Sequence, residues 1–348
     1  MFAEKLTPEA PRDLAKKLAA AHGFALSGVA SLSPENAAPG RAAFERWLAA
    51  GHHGPLGYME RSRQTRSDPG TRFSWARSIL ALGAFYAPAP SAVSSDPPLA
   101  LHIAGYAQGR DYHLVFERRL KRLSRALLDA QLCTRTHWYA DTGPVLERAW
   151  AAQAGLGWIG KNTCLIHPRL GSFFLLAEIL LDAALAPDEP EKPHCGACTR
   201  CLQACPTGAL VAPGVLDARR CLGTWNIERD GRTPQELWNA QGRWAAGCDL
   251  CQQVCPFNAP KRRAAPDAEL AAPLPWHALS LRDCILLAEE RFKQLFAGSP
   301  LRRTGWKGLR LGAIAAAGNL RLESCRAALE ECTRDPDPEI RARARHYR

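Results

Sequence analysis

The stretch Cys195-Gly196-Ala197-Cys198-Thr199-Arg200-Cys201-Leu202-Gln203-Ala204-Cys205-Pro206 has the C-x2-C-x2-C-x3-C-P spacing of bacterial ferredoxins. Three thiolates at two-residue intervals let one loop take three corners of an iron-sulfur cube. The fourth, just before proline, is projected toward a second cluster. Cys248, Cys251 and Cys255-Pro256 repeat the run, with Ala245 where its first cysteine would stand, and Cys221 between the runs can supply the missing ligand. With the ligand exchange of two-cluster ferredoxins, Cys195, Cys198, Cys201 and Cys255 hold one 4Fe-4S cluster, and Cys205, Cys221, Cys248 and Cys251 hold the other. A pair of four-cysteine zinc sites also uses C-x2-C pairs, but needs neither the triple run nor the proline. Cys133, Cys164, Cys284, Cys325 and Cys332 have no partner spacing and are expected to be buried structural thiols.

The rest of the chain is too large to be a cluster carrier alone. It has 348 residues, 47% hydrophobic and 23% charged, enough for two or three domains with real cores and too apolar for wholesale disorder. Thirteen cysteines in so long a chain, with no apolar leader over Met1 to Arg12, argue against a secreted disulfide framework and for a cytoplasmic protein. Ser172 to Leu185 is apolar but broken by Glu178 and Asp182 and too short to span a bilayer, so no membrane association is expected. Helical spacing marks Asp13 to Gly23, Arg41 to Ala50 and His113 to Leu132. Ser78 to Phe85, Leu101 to Tyr106 and Phe173 to Leu181 read as strands, the first running into a Pro88, Pro90 and serine-rich loop. Alternating strands and helices predict an α/β domain over residues 1–185. A linker rich in proline and acid opens a ferredoxin-like double-cluster domain at 186–262. Residues 263–348 read as all-α, with Asp335-Pro336-Asp337-Pro338 turning into an Ala/Arg-rich helix in the manner of HEAT repeats.

Two clusters make an electron conduit, so the α/β domain must hold what receives the electrons. No strand is followed by G-x-G-x-x-G, which leaves a Rossmann dinucleotide site without support. Gly155 to Lys161 is not a P-loop, because Asn162 follows the lysine. Asp111-Tyr112-His113 begins like the D-x-H-x-x-G run of cobalamin proteins with a histidine lower ligand, but Phe116 stands at the glycine position.

Several segments taken together resemble the epoxyqueuosine reductases. They are Gly109 to His113, Tyr139 to Val145, Ala154 to Asn162, the eight-cysteine array and Ser299 to Gly308, in the family's order along most of the chain. The resemblance implies a cobalamin-dependent iron-sulfur enzyme that reduces epoxyqueuosine to queuosine at the wobble position of tRNA, the last step of queuosine synthesis. Two electrons passed through the clusters would make a cobalt(I) nucleophile that attacks an epoxide carbon while an acid protonates the oxygen. The family holds its corrinoid without a protein lower ligand. Asp141 matches the family's proton donor, and a free aspartate titrates near 3.9, so burial beside the corrin is expected to keep it protonated. In isolation it would be a turn-former in Asp-Thr-Gly-Pro. Arg66, Ala104, Leu165, Leu176 and Gly223 match corrin-contacting positions; surface for the arginine and apolar core for the leucines are the plainer readings. The chain departs from the family pattern at Gly105 and over Gly223-Thr224-Trp225-Asn226.

Such an enzyme needs tRNA and a low-potential electron donor such as flavodoxin or ferredoxin, and it is expected to be a monomer. The formal charge of +11 suits a polyanionic partner. Residues 291–348 hold 13 Lys/Arg against 6 Asp/Glu. Lys261, Arg262, Arg263, Arg302, Arg303, Lys307 and Arg310 are therefore expected to meet phosphates, and Trp225, Trp244 and Trp306 to offer faces for an unpaired base. Two rival readings are a reductive dehalogenase-like corrinoid enzyme and a non-catalytic iron-sulfur electron carrier. The basic tail speaks against the first, and the large α/β part against the second.

Overall fold

The structure is a computed structural model that describes residues 10–88, 101–228, 232–271 and 279–348. Its centre is a four-stranded sheet in the order Leu26–Ser31, Ser78–Phe85, Phe174–Leu181, Thr136–Tyr139, with every neighbouring pair antiparallel. The second strand is buried at all eight positions, and its side chains divide with the two-residue period of a strand. Leu80, Leu82 and Ala84 pack with Leu120, Leu123 and Leu127 of the helix Tyr112–Asp129. Ile79, Ala81 and Phe85 pack with Trp150 and Ala151 of the helix Glu147–Gln153. The sheet is thus covered by helices on both faces, but its strands are antiparallel where alternating strands and helices would predict a parallel sheet; the residues that feed the site lie at its Tyr139 end.

Two expected strands, Ser78 to Phe85 and Phe173 to Leu181, form within one residue of their predicted bounds. Leu101 to Tyr106 shrinks to His102–Ile103, followed by a 3-10 turn over Gly105–Ala107. The serine-rich loop expected after Pro88 lies, from residue 89 on, outside the described residues, as does the chain before residue 10.

His102–Ile103 pairs in parallel with Trp244–Ala246, which follows the first cysteine run. Leu101, Ile103 and Ala107 are buried with the C-terminal helices, in one core with Leu309, Ile314, Leu329 and Ile340. In the opposite sense, Leu270 enters the core under the sheet. Arg119 clamps the same segment, its Nη1 2.7 Å from Asp267 and its Nη2 2.7 Å from Glu269. The cores therefore cross the sequence boundaries expected near 185 and 262. The C-terminal region is helical, with Gly305–Asn319, Arg326–Cys332 and Pro338–His346 as its main elements. Among the described residues, no helix is long and apolar enough to cross a membrane, and all thirteen cysteines are free.

The junction between strand and tail is closest at Gly312. A Cβ there would stand 2.4 Å from the Cβ and 2.5 Å from the Cα of Ala245. Gly312→Val should lower stability by about 3 kcal/mol through overpacking against backbone, seen as a lower urea midpoint at unchanged m-value. An unchanged midpoint would mean that the helix does not seat on this strand.

Candidate functional site

Asp141 follows the edge strand Thr136–Tyr139 and adopts φ +62°, a left-handed conformation that Asp and Asn tolerate better than other non-glycine residues. Its amide donates to Glu147 Oε1 at 2.6 Å, which fixes the turn to the first residue of the next helix. The carboxylate Oδ2 lies 3.3 Å from His113 Nε2 and 3.3 Å from Arg303 Nη1. His113 is held in turn by Asp111, which caps the Tyr112–Asp129 helix and meets the ring Nδ1 at 2.8 Å. Arg303 also reaches Glu228 Oε2 at 2.5 Å. Residues from four distant parts of the chain thus converge, and Tyr58 and Tyr106 share their field.

Burial works to raise the pKa of Asp141, but the hydrogen bond from His113 and the charge of Arg303 outweigh it and set it below its usual value. Burial likewise opposes the His113 imidazolium, yet hydrogen bonds and charge from Asp111 and Asp141 raise its pKa to about 9. Without the corrin beside it, Asp141 therefore favours the carboxylate, and His113 the imidazolium. For His113, the stabilisation is fully present below its unfolded value of 6.5 and fades as pH rises through about 9. For Asp141, it is present above the unfolded value and is lost as pH falls through the lowered one. The imidazole resonance of His113 should accordingly titrate near pH 9 and return toward 6.5 in Asp141→Asn; titration near 6.5 in the wild type would show the pair to be broken.

The cysteines gather into two groups. Cys195, Cys198, Cys201 and Cys255 line one cavity of about 190 Å³, with Lys161, His194 and Phe257. Lys161 Nζ ties its loop by donating to the carbonyls of Gly196 at 2.6 Å and Cys198 at 3.0 Å, and the Trp158 indole donates to Cys195 Sγ at 3.5 Å. Cys205, Cys221 and Cys248 lie in mutual electrostatic range, and Cys251 in range of Cys221 and Cys248. Cys205 Sγ accepts from the Ala209 amide at 3.2 Å. Among the described residues, no three of these groups converge on a point as around a single ion; the first four thiols instead surround a volume, which fits a polynuclear cluster. No spacing marks Cys164 as a member of this array, yet its thiol is hydrogen-bonded to that of Cys251.

Arg66 is not a surface residue: it is 9% exposed, and its guanidinium donates to Val145 O at 3.0 Å and Ser62 Oγ at 2.8 Å while facing Asp141, Glu147 and Glu178. Gly223 and Leu176 keep accessible surface, whereas Ala104 and Leu165 are 1% and 3% exposed and sit within the fold. A Cβ at Gly223 would meet nothing nearer than Cys221 Sγ at 3.8 Å, so space is open beside that thiol.

Among the cationic residues, Lys261, Arg262, Arg263 and Arg302 are exposed. Arg303 is engaged with Asp141 and Glu228, and Lys307 with Asp337 and Glu339. Arg310 must be corrected: it is 8% exposed, donates to Ile285 O at 2.8 Å and pairs with Asp335 at 2.7 Å, so it braces the helices and meets no phosphate. Trp244 is likewise core, at 4% exposure.

Two family models match the chain: "4Fe-4S double cluster binding domain" over residues 194–258 and "Epoxyqueuosine reductase QueG, DUF1730" over 66–142. The epoxyqueuosine reductase of Gloeobacter violaceus is 42% identical over 310 residues, covering 87% of this chain and 94% of that protein. A crystal structure of a selenomethionine-labelled epoxyqueuosine reductase superposes with a TM-score of 0.79 at 30% identity, covering 97% of this chain and 90% of that one. Another, of epoxyqueuosine reductase with an epoxyqueuosine-modified tRNA-Tyr stem loop, gives 0.78 at 30% identity, covering 96% and 89%.

Proposed function

The chain belongs to the epoxyqueuosine reductase family, and from that membership we propose that it reduces the epoxide of epoxyqueuosine to the alkene of queuosine at the wobble position of tRNA. The observation that carries this reading is the Asp141 carboxylate fixed between His113 and Arg303. Opening an epoxide by a nucleophile builds negative charge on its oxygen, and a carboxyl fed by an adjacent imidazolium is a general acid for protonating it.

Two 4Fe-4S clusters would be held by Cys195, Cys198, Cys201 and Cys255, and by Cys205, Cys221, Cys248 and Cys251. Cobalamin, when bound, supplies nucleophilic cobalt chemistry, with the clusters as its electron route. Arg66, Leu176, Gly223 and Asp141 would hold the corrin, with Ala104 and Leu165 backing the site from within the fold. The open space at Gly223 beside Cys221 supports this placement.

His113 stores a proton and passes it to Asp141 Oδ2, and Asp141 delivers it to the epoxide oxygen. Arg303 steers that carboxylate and, from the same wall as Glu228, reaches toward the substrate's phosphates. The C-terminal helices, read as HEAT-like, present Arg302 beside this site; Lys261, Arg262, Arg263 and Lys307 extend the basic surface. A low-potential flavodoxin or ferredoxin supplies the electrons to a monomer, in the cytoplasm where tRNA resides. Binding of an anticodon stem loop should weaken with salt, and Arg302→Ala should reduce the log–log slope by roughly 0.7. An unchanged slope would remove Arg302 from the interface.

The deciding experiment is anaerobic incubation of the reconstituted protein, with cobalamin and a low-potential reductant, on tRNA carrying epoxyqueuosine, followed by nucleoside mass spectrometry. Loss of one oxygen from the modified base is expected. Unchanged nucleoside with both clusters intact would overturn the reading.

A further inference from the structure

Behind the Asp141 loop lie two carboxyls with no part in the steps above. Glu178 stands mid-strand in the central sheet, opposite Ala81 on one neighbour and Tyr139 on the other, and is 1% exposed. Among the described residues, no N–H or hydroxyl donates to either of its oxygens, and the group beside it is the carboxyl of Glu147. Glu147 in turn accepts the Asp141 amide at 2.6 Å.

The other charged or titratable groups that face the pair are few. Arg66 lies in range of both glutamates, but it donates hydrogen bonds to Val145 O and Ser62 Oγ. Arg148 approaches Glu147 from its own helix, Asp141 adds a like charge, and the phenols of Tyr112 and Tyr139 complete the surround. Two adjacent carboxylates in an interior site cannot both ionise; one proton is retained between them. Burial first raises both carboxyls above their usual range; the charge of Asp141 adds to this at Glu147, and that of Glu147 at Glu178.

Reduction of an epoxide to an alkene breaks both C–O bonds, forms one C=C bond, and consumes two electrons and two protons to release water. The electrons come from the low-potential donor. Asp141 carries one proton at a time, and His113 holds one in reserve, already committed to recharging it for the first C–O cleavage. A second proton must reach the loop within the same turnover. We propose that Glu147 and Glu178 form a single-proton carboxyl pair that holds the Asp141 turn in place and supplies the second proton of each reduction. The role of the pair rests on the function proposed above; its existence does not.

The test separates the two. Infrared difference spectra of the full chain without substrate, in H2O and D2O, should show a protonated carboxylic C=O band at neutral pH that vanishes on alkaline titration. Glu178→Gln and Glu147→Gln should each abolish it, because the remaining glutamate gains an amide donor and ionises. In single turnover, Glu178→Gln should move the alkaline limb down by about one pH unit, making it roughly tenfold slower along that limb, with near wild-type rate in acid. A wild type lacking the band, or Glu178→Gln retaining the wild-type pH–rate profile, would overturn the proposal. If Glu178→Gln does not fold, Glu147→Gln carries the same two readouts. A persistent band in a protein that leaves epoxyqueuosine unreduced would sink the function while keeping the pair.

Discussion

Asp141→Asn is expected to slow single-turnover reduction of epoxyqueuosine by about 10²–10⁴-fold, the usual worth of a positioned general acid, while cluster absorbance and iron content stay at wild-type levels. Asparagine is the informative replacement. It tolerates the φ of +62° that this position adopts, so the turn and its amide bond to Glu147 survive and only the acid is removed. His113 would lose its carboxylate partner at 3.3 Å, and its pKa should fall back from about 9. Arg303 would keep Glu228, so stem-loop binding should change little. A variant that binds stem loop normally yet retains more than about a tenth of the rate would transfer the acid role to His113 itself.

That reassignment is open because the sequence carries so little of this triad. Asp141 and His113 are 28 residues apart, and Arg303 lies 162 residues beyond Asp141; no local spacing links them. The resemblance brought Asp141 into view, but its protonation state depended on neighbours that only the fold supplies. The same limit applies to charges inside. Arg66 and Arg310 look like surface residues in sequence because arginines mostly are, and both are buried on carbonyls or carboxylates.

The sheet was legible in proportion to its apolar content. Ser78 to Phe85 is a continuous apolar run, fully buried, and its bounds could be read directly. Leu26–Ser31 was missed because Ser27, Gly28 and Ser31 dilute its pattern. Gly28 is explained only by tertiary structure: a Cβ there would stand 2.0 Å from Ala154 O. Thr136–Tyr139, a short edge strand with no fully buried position, gives no periodic signal. The cysteine array was legible for the opposite reason, since ligand spacing in one loop is a local property. Cys164 was not, because its place beside Cys251 comes from a separate part of the chain.

Cys164 makes the second large prediction a test of the ligand set. Cys248→Ala should lower bound iron from about eight to about four atoms per chain and abolish turnover, because the remaining cluster would have no partner through which to pass electrons inward. Loss of metal should also cost stability, since ligand binding is coupled to folding, and the strand Trp244–Ala246 that leads to Cys248 is the one seated on the C-terminal helices. Cys164→Ala should leave the iron count unaltered: its thiol is hydrogen-bonded to Cys251, which in the proposed assignment completes a set of four without it. Once Cys251 binds iron as a thiolate, the Cys164 thiol becomes the donor of this pair; a donor to a ligand sulfur stabilises the reduced, more negative cluster, so Cys164→Ala should lower the potential of that cluster alone. Loss of iron in Cys164→Ala, with iron retained in one of the eight proposed ligand variants, would exchange that residue for Cys164 in the set.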